Sequence, residues 1–458
     1  MNSKVTGRRN HIDRVLYRSY ARGHELREFI SARISPIGFS VLSILVLGMC
    51  LSISDVRSVI YQVLSMSFGL CIFSAIFAYA RRARVEAVRL LPQYATVGKT
   101  FMYQVEVKNL SSKDLKMAWL VEMPPDARPD FHSFHGIREP GEENRNPFDR
   151  YFRYFRWKWL ISRNVYFMPS KAQAPLRIGF GETQKFWMEL HPVKRGTLSF
   201  VEMCVVLPDP MGLFQRCMRV TAPEESILVM PKRYLISGIH LNGGLGHHIN
   251  GDNNTNRIGE SGEFVGLRDY RPGDSMRQIH WKSWAKTGKP IVKELEDTSY
   301  KRYALVLDTL SSGKFDECFE EAVSVAASFA CEIDTNDCLL DLMFMKGEAH
   351  RVTAGRNLER TERLLEVLAS VTPEQESSLE QLAKLVRSHK EQLTCGIVIL
   401  NGWDESKKKF CRLLDEIELS YLLVAVGRDT APKGFSGHWL EFGHIERDLM
   451  KLTSLKFT

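Results

Sequence analysis

The sequence predicts an α+β protein of several domains, with two transmembrane helices, an antiparallel β-sandwich and an α/β domain built on a parallel sheet. Three observations predict this. Two apolar segments lie near the N-terminus, short strands with period-two alternation follow, and the C-terminal third alternates between apolar strands and amphipathic helices. At 458 residues the chain is long enough for two or three domains.

Two uncharged segments predict the membrane anchor. Residues 36–53 and 59–80 contain no Asp, Glu, Lys or Arg, and about 20 apolar residues let a helix cross the hydrocarbon core. The loop at 54–58 carries one Asp and one Arg, whereas many arginines lie on the outer sides of the pair. Because cationic segments stay on the cytoplasmic side, we expect a multi-pass protein of the cell inner membrane with both termini and the folded domains in the cytoplasm. The flanking arginines are Arg8, Arg9, Arg14, Arg18, Arg22, Arg27 and Arg33 before the first segment, and Arg81, Arg82, Arg84 and Arg89 after the second.

Changes in pattern along the chain define its predicted parts. An insertion at about 124–177 interrupts the β-sandwich and contains aromatic residues interleaved with Arg and Lys at 151–159. We interpret this stretch as a hairpin with one packed face, with lipid headgroups or single-stranded nucleic acid as alternative contacts. The predicted parts are a basic segment at 1–33, a transmembrane hairpin at 34–80, the sandwich at 81–235, a linker with a dense motif at 236–300, and the α/β domain at 301–458.

Charge and cysteine content exclude several classes of protein. The net charge is +8, and the cations beside the membrane segments account for most of it, so nucleic acid is disfavoured as a partner. The nine cysteines form no Cys-x-x-Cys pair, which predicts free thiols in a reducing compartment. The sequence also lacks a Gly-x-x-x-x-Gly-Lys-Ser/Thr loop, so we do not expect the chain itself to hydrolyse ATP.

The dense motif at 262–288 predicts a turn followed by a helix. Pro272 and Gly273 favour the turn, and Asp274 is a good N-cap for a helix that ends at Gly288. The motif is also basic, which suits an acidic partner or an anion. The cations of the motif and of the residues directly after it are Arg268, Arg271, Arg277, Lys282, Lys286, Lys289 and Lys293.

Helical spacing would place Met276, His280 and Trp284 on one face of that helix. His280 would then be half-buried, and we interpret His280 and Trp281 as packing residues. An alternative assigns Asp274, His280 and Ser283 as acid, base and nucleophile of a hydrolase, because a base must lie within hydrogen-bond reach of its nucleophile.

These residues resemble the "domain of unknown function 58" family. The shared features are Gly-x-Phe-x-Gly-Leu-Arg-x-Tyr at 262–270, Pro-Gly-Asp at 272–274, Ile-His-Trp-Lys at 279–282 and, upstream, Asp-Pro-Met-Gly-Leu-Phe at 209–214. The resemblance covers roughly 36–310. It implies a membrane hairpin, a β-rich domain and a domain similar to von Willebrand factor A. The residues it implies for partner contact or structure are Arg268, Tyr270, Pro272, Gly273, Asp274, His280, Trp281 and Lys282.

The resemblance also implies a metal position. A von Willebrand A domain commonly binds Mg²⁺ through Asp-x-Ser-x-Ser after its first strand, with hard oxygen ligands. Asp308 and Ser312 match that pattern, but Leu310 replaces the first serine, and Asn401 stands where a later aspartate is expected. The site is degenerate, so we expect no cofactor.

We favour a non-enzymatic membrane adaptor as the function. The resemblance implies a MoxR-type AAA+ ATPase and a transglutaminase-like membrane protein as partners, besides the lipid bilayer, and assembly of envelope proteins as the task. The alternatives are a hydrolase that uses the His280 region, and a membrane protein that binds an anion or nucleic acid.

Overall fold

The computed structural model divides the chain into two compact units, Met1–Lys232 and Arg233–Thr458. The structure describes residues 2–51, 59–236, 258–296, 301–311, 313, 316–333, 338–355, 358–375 and 378–451.

Three helices open the first unit: α1 (Asn2–Ser31), α2 (Pro36–Leu51) and α3 (Val59–Ala80). By length and composition α3 can cross a membrane, whereas α2 has only 16 residues. Most of α3 is not covered by protein, and Met66 is 81% exposed. The predicted loop at 54–58 lies outside the described residues. One helix able to span a membrane is therefore established, and the second span is not.

Eleven strands form three sheets in the described part of the first unit. β1, β3 and β7 make one sheet, β10, β9, β4 and β5 make a second with β6 on β4, and β2, β11 and β8 make a third. Most pairs are antiparallel, as predicted, while β2 and β11 are parallel. Burial alternates along the predicted strands because one face packs on a shared core. The strands are β1 (Val85–Leu90), β2 (Tyr94–Thr96), β3 (Phe101–Asn109), β4 (Leu115–Met123), β5 (Ser170–Lys171), β6 (Leu176–Ile178), β7 (Thr183–Leu190), β8 (Gly196–Phe200), β9 (Glu202–Pro208), β10 (Gln215–Arg219) and β11 (Glu225–Met230).

The hairpin predicted inside the insertion is wrong. Three helices occupy this stretch instead: α4 (Phe131–Gly136), α5 (Pro147–Phe152) and α6 (Tyr154–Asn164). The side chains of Asp130 and Asn146 accept backbone N–H groups and begin α4 and α5.

Helix α1 covers the apolar side of the insertion. The rings of Tyr17 and Tyr20 lie 5.7 and 5.9 Å from that of Trp157 in α6. Asp13 is 1% exposed and forms an ion pair with Arg153. The aromatic residues whose spacing suggested a hairpin therefore belong to helices. The buried side of α6 packs against helix α1 and not against a sheet.

The second unit contains a two-stranded sheet and a six-stranded sheet. β12 pairs with β13, and the larger sheet has the order β16-β15-β14-β17-β18-β19. Only β16 runs antiparallel in it, so the predicted parallel sheet is confirmed. The elements are β12 (Ile258–Asp269), α7 (Trp281–Thr287), β13 (Ile291–Glu296), β14 (Lys301–Leu307), α8 (Glu317–Glu332), β15 (Cys338–Lys346), β16 (Glu348–Gly355), α9 (Leu358–Ser370), α10 (Leu379–Ser388), β17 (Cys395–Asn401), α11 (Glu405–Glu416), β18 (Tyr421–Gly427), β19 (His438–Glu441) and α12 (Ile445–Met450).

The order of this sheet defines a topological switch point. From β14 the chain moves outward to β15 and β16, then returns to the other side of β14 to form β17 and β18. In open α/β sheets the crevice beyond the carboxyl ends of the two strands at such a reversal is the usual ligand position. A ligand site in this sheet would therefore lie at the carboxyl ends of β14 and β17.

A buried ion pair lies in the core of the first unit. Arg89 and Glu122 are 3% and 0% exposed, and the guanidinium donates from Nε and Nη2 to the two carboxylate oxygens at 3.0 and 2.8 Å. Tyr103 donates its hydroxyl to the same carboxylate at 3.1 Å. Burial raises the pKa of Glu122, and the Arg89 guanidinium opposes that shift.

We predict that Arg89→Met destabilises the chain by about 3–5 kcal/mol, because the Glu122 carboxylate stays buried without its counter-ion. Thermal unfolding of the full chain in detergent measures this. Lys185→Met is the matched control, because its pair with Glu106 at 2.8 Å is largely exposed and is worth at most about 1 kcal/mol. Equal melting temperatures for the two variants would contradict the prediction.

Candidate functional site

An ion pair holds the loop of the dense motif at 262–288, which we call the signature motif. The Arg268 guanidinium donates from Nη1 and Nη2 to the two oxygens of Asp274, each at 2.7 Å. Asp274 also accepts the N–H of Arg271 at 2.8 Å, and its own N–H donates to the Arg271 carbonyl at 3.0 Å. Arg268 holds the pKa of Asp274 at about 2, so the carboxylate remains charged at neutral pH.

The turn between these residues is as predicted. Pro272 and Gly273 are exposed, and Gly273 has a φ of 109°, a conformation that favours glycine. Tyr270 closes the base of the loop, because its N–H donates to the Pro290 carbonyl at 3.0 Å.

Asp274 does not cap a helix, which corrects the sequence prediction. A 3₁₀ turn at 276–278 follows it, and α7 begins only after His280. The chain is pinned between the two helical segments, because the His280 N–H donates to the Ile291 carbonyl of β13 at 2.9 Å. The predicted end of the helix is confirmed, since Gly288 follows α7 with a φ of 69°.

His280 is half-buried, as expected, and its Nδ1 lies 2.6 Å from the Ser283 hydroxyl. Among the described residues no carboxylate hydrogen-bonds to this imidazole. A base and a hydroxyl are thus close together, but the third group that orients the base in a catalytic triad is not seen in the described part of the chain.

Trp281 is not a core residue, which corrects the second packing prediction. It is 62% exposed and stacks on Trp284 with ring centroids 5.3 Å apart. Met276 is 70% exposed, and Lys282 is exposed at the start of α7. We define the α7 surface as the exposed side chains of Met276, Arg277, Trp281, Lys282 and Lys286.

The upstream stretch at 209–214 joins the β-rich part of the first unit to its apolar helices. The side chain of Asp209 accepts the N–H of Phe214 at 2.9 Å and also accepts a hydrogen bond from the Ser74 hydroxyl of α3. Leu213 packs between α2 and α3, and its carbonyl accepts the N–H of Ser35 at 3.0 Å. This stretch, 209–214, is therefore a structural joint.

At the switch point, Asp308 follows β14 and is 1% exposed. Its carboxylate accepts the N–H groups of Leu310 at 2.9 Å and Asn401 at 3.2 Å. The Asn401 amide donates to Asp316 at 2.7 Å. The structure thus brings Asp308 and Asn401 together as predicted, whereas Ser312 lies outside the described residues.

Sequence reasoning missed Lys407 and Asp316 at this place. The Lys407 ammonium lies 3.6 Å from the Asp308 carboxylate, and Asp316 caps α8. Burial raises the pKa of Asp308, and the Lys407 ammonium opposes that shift. Asp316 could have been found from its position directly before a predicted helix. No local sequence pattern distinguishes Lys407 from the neighbouring lysines of α11.

Comparison with known proteins finds a family model that matches part of the chain. Residues 266–418 match the family model "Protein of unknown function DUF58", which confirms the resemblance drawn from the signature motif. This region runs from the end of β12 through α11, and so contains both the α7 surface and the switch point.

One relative is "Uncharacterized protein YeaD" of Bacillus subtilis (strain 168), which is 28% identical over 144 residues. The match spans 31% of this chain and 34% of the relative, so this chain matches about a third of that protein's length. Neither the family description nor this name states an activity.

Two solved structures are more distant. A manganese-loaded TRAP protein of Plasmodium vivax has 11% identity and a TM-score of 0.25, over 35% of this chain and 76% of that one. Proximal thread matrix protein 1 from the mussel byssus has 13% identity and a TM-score of 0.22, over 34% and 40%. These scores are too low to support an argument about fold or function.

We predict that Asp274→Asn loosens the signature loop, because a neutral amide cannot replace a bidentate carboxylate for Arg268. Trypsin should then cleave after the exposed Arg277 about threefold to tenfold faster, since cleavage follows local opening. Limited proteolysis of the full chain in detergent measures this rate. Asp269→Asn is the control on the exposed neighbouring carboxylate, and equal rates in the two variants would refute the role given to the ion pair.

Proposed function

We propose that this chain is a non-enzymatic, membrane-anchored adaptor that docks a partner through the α7 surface. The observation that carries the proposal is how the polar groups of the signature motif are used. Arg268 and Asp274 bind each other, and His280 contacts Ser283. What the segment presents to its surroundings is an exposed Trp, an exposed Met and cations, which suits binding better than bond cleavage.

The chemistry of the α7 surface suits an acidic partner with an apolar recess. Arg277 and Lys282 lie on either side of Trp281 in sequence, Met276 directly precedes Arg277, and Lys286 follows one helical turn after Lys282. Trp and Arg are among the residues that most often dominate interface energy. Clustered cations attract an acidic surface and speed its association. The family resemblance favours a MoxR-type AAA+ ATPase as this partner, with a transglutaminase-like membrane protein as a second one, in the assembly of envelope proteins.

The anchor in this proposal has two spans. Helix α2 together with residues 52–53 would be the first span and α3 the second, because 36–53 is uncharged. The arginines on both outer sides support an inner-membrane protein whose two units face the cytoplasm. The parallel sheet and its reversal at β14 support a second unit similar to von Willebrand factor A.

We predict that Trp281→Ala lowers recovery of the partner about tenfold or more, because a central Trp commonly contributes over 1.4 kcal/mol. The measurement is a pull-down of purified MoxR-type ATPase by the full chain in detergent, with and without ATP. Lys282→Glu should also weaken binding and make it less sensitive to salt. Lys433→Glu, an exposed lysine elsewhere in the second unit, is the matched control.

Three outcomes of this pull-down are informative. Nucleotide-dependent recovery that is lost in Trp281→Ala supports the proposal. Equal recovery of the ATPase by Trp281→Ala and Lys433→Glu would show that the α7 surface does not bind the partner. If an oligonucleotide or a polyphosphate is added beside the ATPase and is recovered in its place, a binder of anions is favoured instead.

A hydrolase is the second candidate, and one distance favours it: the 2.6 Å between His280 Nδ1 and Ser283 Oγ. If Ser283 were a nucleophile activated by this base, Ser283→Ala would abolish turnover of an ester panel by about 10³-fold or more. We predict no Ser283-dependent turnover, because the described residues provide no carboxylate to orient His280. Ester hydrolysis by the wild type that Ser283→Ala abolishes would establish the hydrolase instead.

A further inference from the structure

Lys407 places a positive charge inside the switch point. It belongs to the first turn of α11, and only 9% of its side chain is exposed. The ammonium lies 3.6 Å from Asp308 and 3.5 Å from Asp404, and it donates to the carbonyl oxygen of Asn401. Three oxygen-bearing groups, one of them a fully buried carboxylate, therefore converge on one cation that the chain itself supplies.

The position of this lysine opposes its local preferences. A cation in the first turn of a helix is disfavoured by the helix dipole, and removal of an ammonium from water costs several kcal/mol. Asp404, the N-cap of α11, accepts the Lys407 N–H at 2.9 Å and fixes where the helix begins. The carboxylates that compensate the Lys407 charge are Asp404, on the same helix, and the buried Asp308, which follows β14 far away in the chain.

We propose that the Lys407 ammonium takes the place of the divalent cation that the family resemblance implies at this edge of the sheet. The Lys407 ammonium and the Asp308 carboxylate lie in the same crevice. A metal ion bound to Asp308 would therefore lie close to the ammonium, and the two positive charges would repel each other. The inference concerns only this crevice and is independent of the docking proposal.

The remaining groups fit a lysine better than a metal ion. Mg²⁺ requires about six oxygen ligands in close octahedral array, yet Leu310 contributes an apolar side chain. The Asn401 amide uses its N–H donors toward Asp316 and the Leu310 carbonyl. Among the described residues no three His, Cys, Asp or Glu side chains are grouped as metal ligands. A single charge held by hydrogen bonds suits this donor set.

A consequence is that the second unit folds without a divalent cation. We expect the full chain in detergent, after treatment with EDTA, to give no saturable heat with Mg²⁺ or Mn²⁺ and no change in melting temperature. Lys407→Ala should melt lower than the wild type, and Mn²⁺ should recover part of that loss, because the cation replaces the missing charge beside Asp308. The recovery should vanish in the double variant Lys407→Ala with Asp308→Asn.

Lys408→Ala is the matched control. Lys408 is the next residue of α11 and pairs with Glu405 at 2.6 Å on the exposed side of the helix. The Lys408→Ala variant should therefore have the melting temperature of the wild type with and without Mn²⁺. Lys407→Gln, which removes the charge and keeps most of the side-chain volume, replaces Lys407→Ala if the latter does not fold.

Two results would overturn the proposal. One is saturable binding of Mg²⁺ or Mn²⁺ by the wild type that Asp308→Asn abolishes, because the crevice would then hold a metal in spite of Lys407. The other is a folded Lys407 variant whose melting temperature is lowered and does not respond to Mn²⁺, because the lysine would then be a structural ion pair and no replacement for a cation.

Discussion

The need to match every buried or half-buried charge organises this molecule. Arg89 meets Glu122 in the core of the first unit, and Lys407 meets Asp308 at the switch point of the second. Removal of a charge from water costs several kcal/mol, which only a well-placed partner offsets. Each pair joins residues from different elements, so each also specifies how those elements pack.

The same constraint shapes the signature motif. Arg268 reaches across the loop to Asp274, and the loop is thereby held in one conformation. Asp274, which the hydrolase alternative assigned as an acid, is thus already bound to Arg268 within the loop. Trp281 stacks on Trp284 of the same helix and is still 62% exposed, so the ion pair and the exposed side chains of the motif differ in their surroundings.

The first unit shows how a β-rich part is attached to apolar helices. The stretch that ends β9 turns back at Asp209, whose carboxylate serves both its own loop and the Ser74 hydroxyl of α3. Leu213 fills the space between α2 and α3. A polar and an apolar contact thus act at the same joint.

Features that depend only on neighbouring residues could be predicted from the sequence. Period-two alternation predicted β3 and β7, the uncharged run at 59–80 predicted α3, and Gly288 predicted the end of α7, because periodicity, hydropathy and glycine conformation are local properties. The same local reasoning mistook the aromatic insertion for a hairpin and Trp281 for a core residue. In both cases the missing information was which surface the aromatic rings would face.

Which charges meet could be read only from the folded chain. Nothing near Lys407 in the sequence marks it as the partner of Asp308, and the role of Asn401 depends on Asp316. These contacts join residues that the parallel crossover connections of the sheet bring to one edge. Their energy arises from distance and burial in three dimensions, and neither quantity is encoded in the pattern of a single segment.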